Sequence, residues 1–390
     1  MKKVLILGGG FAGVEAAIFL AKEREFEVTL VSNRDYFYIY PTSIWIPTGG
    51  TTKEDISIPL DKIAIKHGFK LIVGSVTKVE AGLKRVTLES EDILEGYDYL
   101  VLALGQDKIE AKGLENTLSI CGKPEEAVLL KERLDELIEK GSGKIAMGFG
   151  GNPKDNSAVR GGPAFELLFN VNTLLKKRGL RDKFELTFFA PMEKPGQKMG
   201  EKALVMMDKM FKMTNINKKV GTKISSFEPD GIVFADGEKI ESDLTMFISA
   251  GKGHSVLEAS DVPLSEAGFV VTNEYNEVEG FDGVYAIGDS AALLGPKWKA
   301  KQGHVAEVMA RNIAYNIFQH SQKIQSKKSY LDHLNILCVM DTGDGAAFVY
   351  RSDSSAKMIP MPYLGHMMKK GWGWYCKNTK LGKMFRLPGM

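Results

Sequence analysis

At 390 residues, with 44% hydrophobic and 26% charged side chains, the chain exceeds one ordinary domain and suits two folded domains with an appendage. A formal net charge of +2 gives no basis for nucleic-acid binding. Three scattered cysteines, Cys121, Cys338 and Cys376, are too few for a disulfide framework or a zinc cluster, so no metal site is expected.

Met1-Lys2-Lys3 ahead of Val4-Leu5-Ile6-Leu7 imitates the basic and apolar parts of a secretory signal. Gly8, Gly9 and Gly10 break the run at once, and no signal peptide is read. No run of 18 apolar residues occurs, so no bilayer-spanning helix is expected. Val4 to Leu7 reads as a buried strand, Val14 to Lys22 as a helix and Glu27 to Ser32 as the next strand, a β-α-β unit. Residues 33–60, aromatic and proline-punctuated, read as a long ordered loop. Strands follow around Lys70–Val79 and Arg85–Leu88, then the apolar strand Tyr97–Ala103 ends at Leu104-Gly105. A second α/β unit places helices at Glu125–Lys140 and Pro163–Arg178, with strands at Lys144–Met147, Glu185–Phe189, Gly231–Phe234 and Leu244–Gly251. The strand Val284–Ile287 runs into Gly288-Asp289, and Val305–Phe318 is a helix.

Gly8-x-Gly10-x-x-Gly13 lies directly between the first strand and helix, the context in which a glycine turn binds a pyrophosphate. Gly8 makes the turn, Gly10 lets backbone approach the phosphates and Gly13 lets helix and strand pack closely. The free N–H groups and dipole of the helix start then face the anion. Ser32-Asn33-Arg34 stands where an acidic ribose ligand is expected at the end of the second strand. Ser32 or Asn33 can hydrogen-bond ribose hydroxyls, and Arg34 can reach a phosphate or stack on adenine. The first motif alone leaves nicotinamide and flavin open.

Tyr99-Leu100-Val101-Leu102-Ala103-Leu104-Gly105 and Val284-Tyr285-Ala286-Ile287-Gly288-Asp289 resemble the second and third FAD motifs of the pyridine nucleotide–disulfide oxidoreductase superfamily. That resemblance implies FAD as cofactor, with Gly105 beside it and Asp289 on its ribityl chain. It also adds Pro41, Val76, Lys301 and Gln302 to the cofactor-contacting set. The implied fold is α/β, with two Rossmann-like dinucleotide-binding domains, the second inserted in the first. The expected segments are 1–109 and 251–320 for the FAD domain, 110–250 for the second domain and 321–390 for a C-terminal membrane-associating extension.

In the second domain the strand at Lys144–Met147 leads into Gly148-Phe149-Gly150-Gly151-Asn152-Pro153. About ten extra residues precede Gly161-Gly162-Pro163 and the helix, so a pyrophosphate at that turn would lose the helix start, which disfavours NADH. The stretch ending Gly162-Pro163-Ala164-Phe165-Glu166 is similar to sulfide:quinone oxidoreductases and flavocytochrome c sulfide dehydrogenases. So are Tyr36-Phe37 through Pro41, Ser119-Ile120-Cys121, Lys301-Gln302-Gly303 and Ile336-Leu337-Cys338 before Asp341-x-Gly343-Asp344. The likeness implies that Cys338 handles sulfur near the flavin, that Cys121 matches a cysteine near the flavin's 8-methyl in some members, and that Glu166 is a proton acceptor. One departure stands out. Arg160, or Val159 if the gap shifts, occupies the place of the second cysteine of those families, so Cys338 lacks its expected partner. His254 reads as a loop residue.

From residue 359 onward, Ile359, Met361, Tyr363, Leu364, Met367, Met368, Trp372, Trp374, Tyr375 and Phe385 interleave with Lys369, Lys370, Lys377, Lys380, Lys383 and Arg386. Such a mixture suits a segment lying in a membrane surface without crossing it. The alternative is a tail packed on its own core or on a dimer partner, which keeps a homo-oligomer open. Phe348 and Tyr350 are candidates for stacking a quinone ring. The expected function is therefore a monotopic, peripheral flavoprotein passing electrons from a reduced sulfur compound, most simply sulfide, through FAD to a membrane quinone. Alternatives are a single-subunit NADH:quinone oxidoreductase and a flavoprotein subunit that donates to a cytochrome.

Overall fold

The protein is described here by a computed structural model covering residues 1–386. Five parallel strands form the first sheet, in the order Val284–Ala286, Tyr99–Leu102, Lys2–Leu7, Phe26–Ser32 and Lys70–Val73. Val4 to Leu7 at its centre are all fully buried, because a parallel sheet is covered on both faces and leaves no solvent side for alternation. The helices Phe11–Leu20 and Gly303–Ser321 pack together against it. Each starts with helical residues earlier than the sequence pattern suggests, since glycines open both helices.

Residues 33–60 are a correction. They form a strand pair, Tyr36–Tyr38 with Ser57–Pro59, a 3-10 helix at Tyr40–Trp45 and a capped helical turn at Lys53–Ile56. A further helix, Leu60–His67, was also unexpected. Its signals were present: Leu60, Ile63 and Ala64 share one buried face, Pro59 precedes it and Gly68 closes it at φ +79°.

A second parallel sheet, Asn217–Val220, Phe184–Ala190, Gly143–Phe149 and Leu244–Ile248, lies in the chain between Tyr99–Leu102 and Val284–Ala286 of the first. Phe149, Phe165, Phe188 and Phe211 fill its core, Phe165 stacking on Phe188 at 4.6 Å. The chain crosses between the sheets twice, at Gln106–Lys108 and Gly251–Gly253, and these two crossings pair antiparallel.

Residues beyond 330 build a three-stranded antiparallel sheet, Ile336–Asp341, Ala346–Arg351 and Ala356–Pro360, followed by the helix Leu364–Lys380. The expected extension is thus a packed element rather than a free amphipathic tail. One face of its helix docks on the body through Gly365, Lys369, Gly373, Cys376 and Lys380. The other face carries Tyr363, Leu364, Met367, Met368 and Trp374 to the surface. Among the described residues no helix is long and apolar enough to cross a membrane.

Candidate functional site

The glycine turn after the first strand behaves as its residue types require. Gly8 sits at φ +116°, and a Cβ there would overlap the Ala103 carbonyl; one on Gly13 would overlap the Gly8 carbonyl. A Cβ on Gly10, by contrast, would meet no protein atom within 4 Å. Gly8 and Gly13 are therefore held by packing, whereas Gly10 faces open space at the helix start. No side chain caps that helix, so its first N–H groups are available to an anion. A second uncapped helix start, after Gln302, lies alongside, with Gly303 close to the Phe11 ring. The Gln302 side-chain oxygen is buried without a protein partner. Two uncapped helix starts and an orphaned buried acceptor suit the phosphates and polar edge of a dinucleotide.

Ser32 ends its strand with its hydroxyl engaged locally: it donates to the Arg34 carbonyl at 2.7 Å and accepts from the Arg34 N–H at 3.3 Å. The Arg34 guanidinium stacks over Tyr36 and Tyr40, 5.2 and 5.9 Å from the ring centres. Pro41 opens the adjoining 3-10 helix, and Val76 is a half-buried strand residue packed at the second sheet-face core. Gly105 donates its N–H to the Ser290 hydroxyl at 2.8 Å, which ties the second motif to the third.

Asp289 leaves the third motif and pairs with Arg160, which reaches across from the inserted domain. In the amide orientation that hydrogen bonding selects, the Gln106 carbonyl accepts from Arg160 Nε at 3.0 Å and Nη2 at 3.1 Å. Buried Lys301 donates to the carbonyls of Asp289, at 3.0 Å, and Ala291, with its ammonium 3.8 Å from the Phe269 ring centre. Burial pulls its pKa down to about 8, against the pull of Asp289. Nothing local marks Arg160 and Asp289 as partners, since 129 residues separate them.

The second glycine turn is arranged differently. Its strand ends at Phe149, the helix Gly162–Lys177 begins only at Gly162, and the Phe149 ring lies against Gly161 at the helix start. An aromatic ring thus packs where a second pyrophosphate would need open backbone.

Cys338 sits on the strand Ile336–Asp341 opposite Val349. Strand alternation puts it on the same face as Ile336 and Met340, both buried, towards the helix that carries Glu166. Burial pushes its thiol up to about 12, with the Glu166 carboxylate adding to the effect and Lys369 opposing it. Glu166 is itself buried. It accepts from the Asp341 N–H at 3.0 Å and pairs with Lys369 of the C-terminal helix. Burial raises its pKa, while Lys369 opposes the rise. Asp341, fully buried, accepts from Trp45 Nε1 at 3.1 Å and bonds His366 Nδ1 at 2.6 Å. Asn170 ties this network together by donating to the carbonyls of Glu166 and Asp341.

Here lies a second correction. Lys369, Lys380 and Arg386 are not cations of an interfacial face but internal partners: Lys369 of Glu166, and Lys380 and Arg386 of Glu15 and Glu307 on the two packed helices. Sequence reasoning missed Trp45, His366, Glu15 and Glu307 entirely, since nothing local marks them as partners.

Cys121, Cys338 and Cys376 are all free thiols. Cys121 lies within electrostatic range of Arg160 and Glu166, and burial pushes its thiol up. Phe348 and Tyr350 stand opposite Val339 and Leu337, on the sheet face away from Cys338. That outward face also exposes Leu337 and Ile359. His254 accepts from the Val256 N–H at 3.3 Å, a loop-shaping role. No metal-binding cluster occurs among the described residues.

Residues 2–310 match the family model described as pyridine nucleotide-disulphide oxidoreductase. A sulfide-quinone reductase of Aquifex aeolicus is 28% identical over 372 residues, covering 90% of this chain and 83% of that protein. A type II NADH:quinone oxidoreductase of Staphylococcus epidermidis is 25% identical over 381 residues, covering 91% and 92%. Among solved structures, the sulfide:quinone oxidoreductase of Aquifex aeolicus superposes with a TM-score of 0.87 at 25% identity, over 98% of this chain and 92% of that one. With two parallel sheets, the glycine cradle and a family match over most of its length, the chain belongs to the pyridine nucleotide-disulphide oxidoreductase family and is an oxidoreductase of its FAD-dependent class.

Proposed function

We propose that the protein is a sulfide:quinone oxidoreductase-like enzyme that binds FAD at Gly8, Gly10, Gly13, Gly105, Asp289 and Gln302. When bound, the flavin supplies an electron acceptor for reduced sulfur and an electron donor for a quinone. Cys338 is the sulfur-handling thiol, and burial keeps it protonated until a neighbouring base takes its proton. Glu166, raised by burial and steadied by Lys369, holds the exchanging proton beside it. The antiparallel pairing of Gln106–Lys108 with Gly251–Gly253 supports domain boundaries near 109 and 250 as part of this reading.

The observation that carries this reading is the two-sidedness of the C-terminal sheet. Its inner face presents Cys338 to the Glu166 helix, while Leu337 and Ile359 are exposed on the outer face, and the helix that follows exposes Tyr363, Leu364, Met367 and Trp374. Sulfur chemistry inside and a lipid-borne quinone outside suit that arrangement. A rival reading, NADH:quinone oxidoreduction, is favoured by the comparable match to the Staphylococcus protein, but the Phe149 ring at the second helix start argues against it.

Anaerobic titration of the purified yellow protein separates the two. Sulfide should bleach the flavin band, NADH should not, and Cys338→Ser should keep its flavin while losing the sulfide response. Bleaching by NADH that persists in Cys338→Ser would hand the case to the rival.

A further inference from the structure

We infer that His366, aimed by Asp341, hands a proton to the quinone at the edge where the C-terminal helix turns from its docked face to its exposed apolar face. The inference deepens the proposed function and rests on its quinone step.

The pair is built as an oriented imidazole. Asp341 is fully buried, and its Oδ1 accepts from Trp45 Nε1 at 3.1 Å and from the Gly343 N–H at 2.9 Å. Its Oδ2 is left for His366 Nδ1 at 2.6 Å. Two donors on one oxygen mark an acceptor-only carboxylate, so the hydrogen of the third bond belongs to Nδ1. That bond fixes the ring, and Trp45 packs against it edge-on with ring centres 5.5 Å apart. Nε2 has no hydrogen-bond partner among the described residues, and the side chain is 24% exposed. Anchoring of the helix is already supplied by Lys369 on Glu166 and by Lys380 on Glu15 and Glu307. A held ring with an open nitrogen suits proton transfer.

Position selects the substrate. His366 lies between Leu364 and Met367, both exposed, so Nε2 borders the surface assigned to a lipid-borne quinone. A quinone's carbonyl oxygens gain charge on reduction and need a donor there. Lys369, one turn on, is buried and committed to Glu166. Lys370, with its ammonium 5.8 Å from the Trp45 ring centre, has no hydrogen bond among the described residues to aim it.

The step balances within the proposed reaction. The quinone is reduced by two electrons from the reduced cofactor and takes two protons, one from His366 and one from water at the surface. The Nε2–H bond of the imidazolium breaks, an O–H bond forms on the quinone, and the electron pair stays on Nε2. The imidazole then regains its proton from water at its exposed edge, while Asp341 holds Nδ1 throughout.

The test uses flavin-loaded protein, photoreduced without oxygen and mixed with ubiquinone-1, so that it needs neither sulfide nor NADH. Recovery of the flavin band gives the reoxidation rate. His366→Asn keeps a donor near the place of Nδ1 and removes Nε2. It should melt like the wild type and reoxidise about 100-fold more slowly at saturating quinone, the worth of a general acid. His366→Ala should be as slow and should be accelerated about tenfold or more by added imidazole, which a merely structural tie would not allow. Reoxidation of His366→Asn within about threefold of wild type, or no response of His366→Ala to imidazole, overturns the inference. A wild type that quinone does not reoxidise would instead overturn the quinone step of the proposed function, and this inference with it.

Discussion

Lys380→Met is the sharpest test of how the C-terminal helix is held. Lys380 is fully buried, and its ammonium bonds Glu15 and, at 2.8 Å, Glu307, with Arg386 beside both. Burial alone would push the Glu307 carboxyl up, but Lys380 and then Arg386 outweigh it and hold it at about 2, against an ordinary 4.5. That gap corresponds to about 3 kcal/mol. Independently, removing one partner of a buried ion pair costs about 3–5 kcal/mol, because the remaining charge is stranded. Methionine keeps the length of the side chain, so little of the loss comes from a cavity. We therefore expect Lys380→Met to lose about 3 kcal/mol at pH 7, read by urea titration of tryptophan fluorescence, with Trp372 and Trp374 reporting from the helix itself. A carboxyl depressed on folding stabilises above its unfolded value and loses that contribution as pH falls. The gap between wild type and variant should therefore narrow from pH 4.5 towards 2. Lys380→Met combined with Glu307→Gln should recover part of the loss. A single variant within about 0.5 kcal/mol of wild type at pH 7 would refute the reasoning, since that is the range of an ordinary surface substitution.

Three further outcomes are expected. Gly10→Ala should fold normally yet purify colourless, because its Cβ meets only open space where the cofactor is proposed to lie; Gly13→Ala, forced onto the Gly8 carbonyl, should also unfold at lower temperature. Absorbance near 450 nm, roughly the flavin band, and circular dichroism melts separate the two effects. With the Cys338 thiol held near 12, its alkylation by iodoacetamide at pH 8 should run roughly a thousandfold slower than that of an exposed cysteine, as mass spectrometry of the tryptic peptide would show. Replacing exposed Leu364, Met367 and Trp374 together with serine should leave the fold intact and cut liposome binding by at least about 100-fold, each side chain contributing roughly 1.5–3 kcal/mol when buried in lipid. Unchanged partition would favour a surface that docks a protein electron acceptor.

What the sequence determined by itself was local. Gly8, Gly10 and Gly13 between a strand and a helix, the strands ending at Gly105 and Asp289, and the extended loop before Gly162 are legible because each depends on neighbours a few residues away. Hydrophobic period and turn chemistry carry such information directly. Tertiary structure alone decided which charges are internal. Arg160 meets Asp289 across 129 residues, Glu166 meets Lys369 across 203, and Glu15 meets Lys380 across 365. In the sequence, Lys369 and Lys380 look like the cationic fringe of an interfacial helix, since composition cannot say whether a carboxylate waits beneath. Only the docking of that helix on two domains does so: it removes water from the lysines on one side and leaves the methionines and Trp374 exposed on the other.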